Sequence, residues 1–173
     1  MKKVVIKIPC TREQLCFARA LVTVRAKAED HPQWCAFQRG RELQLWAARQ
    51  LHLTTGVPQG VCGDAELKQF AAHPSMADYT IVVVDADRNF ETFAYGFGAQ
   101  HLGLLHEGDH FDVIKSLPGF FGTSYFCAHC YKGYDHAGQH RCTQNANHCG
   151  ACLQEGCSDH APARCMNGTA SAL

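Results

Sequence analysis

The chain lacks any apolar run near the ~20 residues that a membrane-spanning helix needs, so no membrane partner is expected. It lacks an excess of charge: 16 basic residues balance 16 acidic ones. That balance argues against a strong general affinity for nucleic acid. Internal repeats and low-complexity tracts are absent. The opening MKKVVIKIP is too short and too charged for a signal peptide, so we read an intracellular protein, nuclear or cytoplasmic. No His-x-Glu occurs, which argues against a deaminase. No paired-aspartate motif of a two-metal polymerase occurs either.

Two properties are in good supply. Hydrophobic residues make up 46% of the 173, enough for a core. There are eleven cysteines, which in an intracellular chain need a reason other than disulfides. Seven of them lie between Cys127 and Cys165, mixed with His129, His136, His140, His148 and His160. Such clustering is a metal-site signature. The chain therefore divides into residues 1–118, with helix and strand patterns, and 119–173, poor in apolar residues. SLPGFFG supplies the joint, because Pro and Gly punctuate there.

In the first part, residues 2–8 read as a short strand. A helix follows from about Thr11, its cap, to about Glu29, with Leu15, Ala18, Leu21 and Val22 on one face. After Pro32 a second helix is expected to run to Gly56, with Trp34, Phe37, Leu45, Trp46 and Leu51 as its apolar residues. A brief helix over 65–73 has Asp64 as its expected cap. Then the period changes. YTIVVVD (79–85) is a β-branched buried strand, followed by strands at 90–95, 101–107 and 110–114. Helices first and a mostly antiparallel sheet second make the class α+β.

Cys16 falls near the first turn of the first helix, where unpaired N–H groups and the dipole favour a thiolate and can hold an oxyanion. His110 opens the last strand. Asp112, two positions on, projects from the same face and is placed to orient the imidazole. Cys10, Cys35 and Cys62 read as core or surface thiols. The arginines and lysine at positions 19, 25, 27, 39, 41 and 49 form a basic footprint, read first as a solvated helix face.

Glu13-Gln14-Leu15-Cys16-Phe17-Ala18-Arg19-Ala20 resembles the nucleophile motif of the ovarian-tumour (OTU) cysteine proteases, Asp-Gly-x-Cys-Leu-Phe-Arg-Ala. His110-Phe111-Asp112-Val113 resembles their histidine motif, and GDAELKQF and YTIVVV fit the elements between. Gln14 stands where the family has a turn-forming Gly. The resemblance spans most of residues 10–116. It implies an OTU-like fold with Cys16 as nucleophile, His110 as base, Asp112 as orienter and amides around Glu13 holding the oxyanion. Its substrate would be a ubiquitin-like isopeptide or a viral polyprotein bond.

Cys127-x2-Cys130 forms a knuckle whose thiolates grip one Zn²⁺, completed by His140 and Cys142, with His136 and His140 as a rival pair. Cys149-x2-Cys152 is a second knuckle, closed by Cys157 and either His160 or Cys165. The expected cofactor is structural zinc, one or two ions, because so small a segment cannot bury enough area alone. Tyr125, Phe126, Tyr131 and Tyr134 read as packing residues rather than base-stacking ones.

From Leu15 through Cys142, and on to about Asp159, the chain is similar to the N-terminal region of protein-primed family B DNA polymerases of Polinton (Maverick) elements and adintoviruses, with His110 in register. Val113, Ile114, Ser116, Gly119, Phe120, Ser124, Tyr125, Cys127, Cys130, Lys132, Gly133, Tyr134, His140 and Cys142 fall in register with it. This resemblance implies an origin in a mobile element or virus, and a truncated or alternatively ended gene whose product is not a polymerase on its own. The alternative to a protease is thus an inactive N-terminal fragment that binds DNA or replication proteins, or a relic with no activity.

Overall fold

The computed structural model describes residues 4–9, 14–140 and 142. The chain divides into two compact units, residues 1–116 and 117–173. Thr11, Cys10, Glu13 and the whole second knuckle with Cys149, Cys152, Cys157 and Cys165 lie outside the described residues, as do His148 and His160.

The first unit is α+β. Its strands are β1 (Val5–Ile6), β2 (Tyr79–Asp85), β3 (Glu91–Tyr95), β4 (Gln100–Glu107) and β5 (His110–Ile114), in the order β1-β5-β4-β2-β3. β2 is buried at all seven positions, as expected of a β-branched run covered on both faces. The sheet is mixed. β2 pairs with β4 in parallel, while the other three pairings are antiparallel. The parallel pairing follows from the passage after β3. Gly98 donates its N–H to Tyr79 O (3.2 Å) and takes a hydrogen bond from the Thr80 hydroxyl (2.8 Å). A Cβ on Gly98 would overlap the Asp78–Tyr79 peptide. Glycine thus lets the chain slip past the start of β2 and lay β4 on its far side.

The helices are α1 (Cys16–Ala28), α2 (Trp34–Gln38), α3 (Glu42–Thr55) and α4 (Asp64–Ala72). The single helix expected over 34–56 is two helices. Gly40 breaks it at φ +65°, and its carbonyl accepts from the Arg19 guanidinium at 3.3 Å. Trp46 is 60% exposed, and the buried positions are Gln44, Ala48, Leu51 and His52. Gln44 is tolerated inside because it accepts from Arg19 (2.7 Å) and donates to Thr23 (2.8 Å) and Phe37 O (2.9 Å). α4 begins at Asp64, and its cap is Gly63, whose N–H donates to the Glu66 carboxylate at 2.8 Å.

Phe17, Leu21, Phe70, Ile81, Leu102, Leu104 and Val113 belong to one buried cluster joining α1, α4 and the sheet. α1 packs against α3, β4 and β5. This packing places the start of α1 beside the start of β5.

The second unit holds α5 (Leu117–Phe121) and a hairpin of β6 (Tyr125–Phe126) and β7 (Gly133–Tyr134). Its aromatics pack on one another: Tyr125 stacks on Tyr134 at 5.4 Å and Phe121 on Phe126 at 5.9 Å.

Candidate active site and metal centre

Cys16 is the first residue of α1. The first intrahelical bond is Arg19 N–H to Leu15 O at 2.9 Å. The N–H groups of Cys16, Phe17 and Ala18 therefore have no acceptor within the helix, and the positive end of its dipole lies at the sulfur. Gln14, two residues before Cys16, has φ +51°. That is the left-handed region, where an L side chain is disfavoured by about 1–2 kcal/mol. A conformation that glycine would adopt freely is thus adopted by glutamine.

The Cys16 thiol donates to the carbonyl of Asp109, the residue before His110, at 3.4 Å. One residue deeper, Phe17 and Phe111 meet edge to face at 5.0 Å, which locks the helix start to the strand start. His110 directs Nε2 at Asp112 Oδ1, 3.1 Å away. With Nε2–H donated there, Nδ1 carries the lone pair of the neutral ring. Asp112 is 1% exposed. It also accepts from Ile8 N–H at 2.8 Å and from Lys7 Nζ at 2.6 Å.

A cleft of about 450 Å³ reaches Asp109, lined among others by Val61, Gly63, Asp85, Phe93 and Tyr95. Cys62 also borders the cleft. Burial, then the nearby Cys16 and Glu66, push its thiol up to about 12, so it stays protonated and inert at neutral pH.

The β4–β5 turn that carries Asp109 and His110 is tied down by groups the sequence did not single out. Asp87 Oδ2 accepts from Gly108 N–H at 2.6 Å. Asp85 caps the β2–β3 turn by accepting from Asp87 N–H and Arg88 N–H, and faces His106 at 3.4 Å. Asp85, Asp87 and His106 have metal-ligand spacing, but their oxygens already serve turn hydrogen bonds. The Asp-Ala-Asp run was the available signal, and it reads equally as a turn.

One expected cation is removed from the surface. Arg19 is 3% exposed and hydrogen-bonds Gln44, Pro9 O and Gly40 O, so it cannot join a basic footprint. Arg39, Arg41 and Arg49 are exposed.

In the second unit, Cys127, Cys130, His140 and Cys142 bring their ligand atoms within 4.8 Å of one another. Cys127 Sγ and Cys142 Sγ are 3.9 Å apart, and Cys130 Sγ and His140 Nε2 are 3.6 Å apart. A tetrahedral ion with Zn–S near 2.3 Å and Zn–N near 2.0 Å spans edges of about 3.8 and 3.5 Å. The residues fit zinc. Burial drives the Cys127 thiol up, but the N–H groups of Cys130 and His129, then Cys130 and His140 side chains, outweigh it and bring it to about 7. Burial and then Cys127 raise Cys130 to about 12. A divalent cation would deprotonate both. The Tyr134 ring stacks on His140 at 4.2 Å and orients it. His136 caps a short turn and is exposed, outside the cluster.

No family model and no curated protein matches the chain. Among solved structures it resembles an ovarian-tumour (OTU) domain determined in complex with ubiquitin. The identity is 15% and the TM-score 0.31, over 65% of this chain and 77% of that one. No helix among the described residues is long and apolar enough to cross a membrane. The fold is α+β, helices on a mixed five-stranded sheet, with a Cys₃His cluster that suits a metal such as zinc.

Proposed function

We propose that the first unit is a thiol hydrolase of OTU-like architecture and that the second is a structural zinc module. One observation carries the reading: the Cys16 thiol, at a helix start, touches the residue before a histidine that is itself held by a buried carboxylate. In this reading His110 Nδ1 takes the Cys16 proton as the sulfur attacks an amide carbonyl carbon. The oxyanion lies against N–H groups at the start of α1. His110 then gives the proton to the leaving amine, and a thioester remains. Water attacks the thioester with His110 again as base, releasing the acid and restoring the thiol.

The motif resemblance around Cys16 and His110 makes a ubiquitin-type isopeptide the first substrate to test. Cys127, Cys130, His140 and Cys142 would hold Zn²⁺, which when bound supplies folding energy. Four protein ligands complete the tetrahedron and leave no position for substrate. The mobile-element origin rests on the sequence register from His110 to Cys142.

The test is labelling of zinc-loaded protein with a ubiquitin-derived electrophilic probe. Wild type is expected to label at Cys16, and Cys16→Ala and His110→Ala to lose labelling. Absence of labelling in folded wild type removes the deubiquitinase reading.

A further inference from the structure

Asp112 is shared. Its Oδ1 serves His110 Nε2 and Ile8 N–H, and its Oδ2 lies 2.6 Å from Lys7 Nζ. A buried carboxylate needs such compensation, because losing water around a charge is costly. Most surface ion pairs contribute little. This one differs in that one partner is buried: the Asp112 side chain is 2% exposed, against 72% for Lys7. The hydrogen bond to Asp112, opposed by burial and aided by charge, lifts the Lys7 ammonium above its ordinary range.

We propose that Lys7 is a positioning residue for the Cys16–His110 pair: it fixes the Asp112 carboxylate against His110. The proposal rests on the thiol-hydrolase reading. The ammonium restrains Oδ2 while Oδ1 accepts from His110 Nε2–H and Ile8 N–H. Without it the carboxylate loses the partner on Oδ2, and the ring that it orients is held less firmly. Lys7 also ties the chain leading to the nucleophile onto the strand bearing the base.

The experiment compares Lys7→Met, Lys7→Gln and Lys7→Arg in the whole zinc-loaded chain. The His110 Nε2–H signal is followed by NMR, and the rate of probe labelling of Cys16 is measured beside the denaturation midpoint. In Lys7→Met and Lys7→Gln the Nε2–H signal is expected to broaden and exchange faster, and labelling to fall severalfold while the midpoint holds. Lys7→Arg should behave as wild type. A labelling loss that only tracks a fall in midpoint, with the Nε2–H signal unmoved, marks a merely structural lysine and overturns the proposal. If wild type fails to label, the Nε2–H signal alone decides: its loss supports the tether while the hydrolase reading falls, and no change overturns the tether.

Discussion

The two units reach order by different means. The first gathers Phe17, Leu21, Phe70, Ile81, Leu102 and Val113 into one apolar cluster, and its few buried polar groups are hydrogen-bonded. The buried cluster of the second, among the described residues, is Cys127, Cys130 and Cys142 with Tyr134 packed on them. In one unit removal of apolar area from water drives folding. In the other the described cluster is small, and in the proposed reading bonds to a metal take its place. The difference teaches where each unit is vulnerable.

Metal removal should produce the largest effect. Chelation, or Cys130→Ser, should unfold the second unit, since structural zinc contributes on the order of 10 kcal/mol to such modules. Hydrogen exchange should show protection lost over 124–142 and kept across β2 and β4. Loss of protection in β2 would break the comparison, because it would mean that the metal also supports the apolar unit. Phe70→Ala comes next. Phe70 is fully buried against Phe17 and His52, and its truncation should cost about 3–5 kcal/mol. The urea midpoint of the first unit should fall while zinc affinity holds. The smallest effect is expected from Gln14→Gly. Relieving the left-handed strain should stabilise the first unit by about 1 kcal/mol, read as a rise in denaturation midpoint. A fall would show that the glutamine side chain contributes more than its backbone costs.

Legibility in the sequence followed the range of the interactions. Strands 79–85 and 110–114 fall where the β-branched pattern put them, because alternation and bulk are local signals. The Cys127–Cys142 cluster was readable for the same reason: short spacing encodes ligand geometry. The break at Gly40 was hidden, since it depends on Arg19 reaching across from α1. Arg19 itself reads as a solvated cation until Gln44 and two carbonyls are seen around it. The parallel pairing of β2 and β4 depends on how the Gly96–Gly98 passage threads, which periodicity does not report. Lys7 escaped notice because its partner is 105 positions away and a lysine beside an edge strand looks like a solvent group.

β1 pairs with β5, and Lys115 N–H donates to Val4 O. The first and last strands of the unit are therefore neighbours, and the sheet cannot close until residue 115 has been added. On a ribosome, which releases the chain from its N-terminal end, Cys16 emerges long before His110 and Asp112. The growing polypeptide thus carries its thiol, with Lys7 already made, until the imidazole and the carboxylate follow. The order of translation acts as a timer: the pair assembles only as the unit closes.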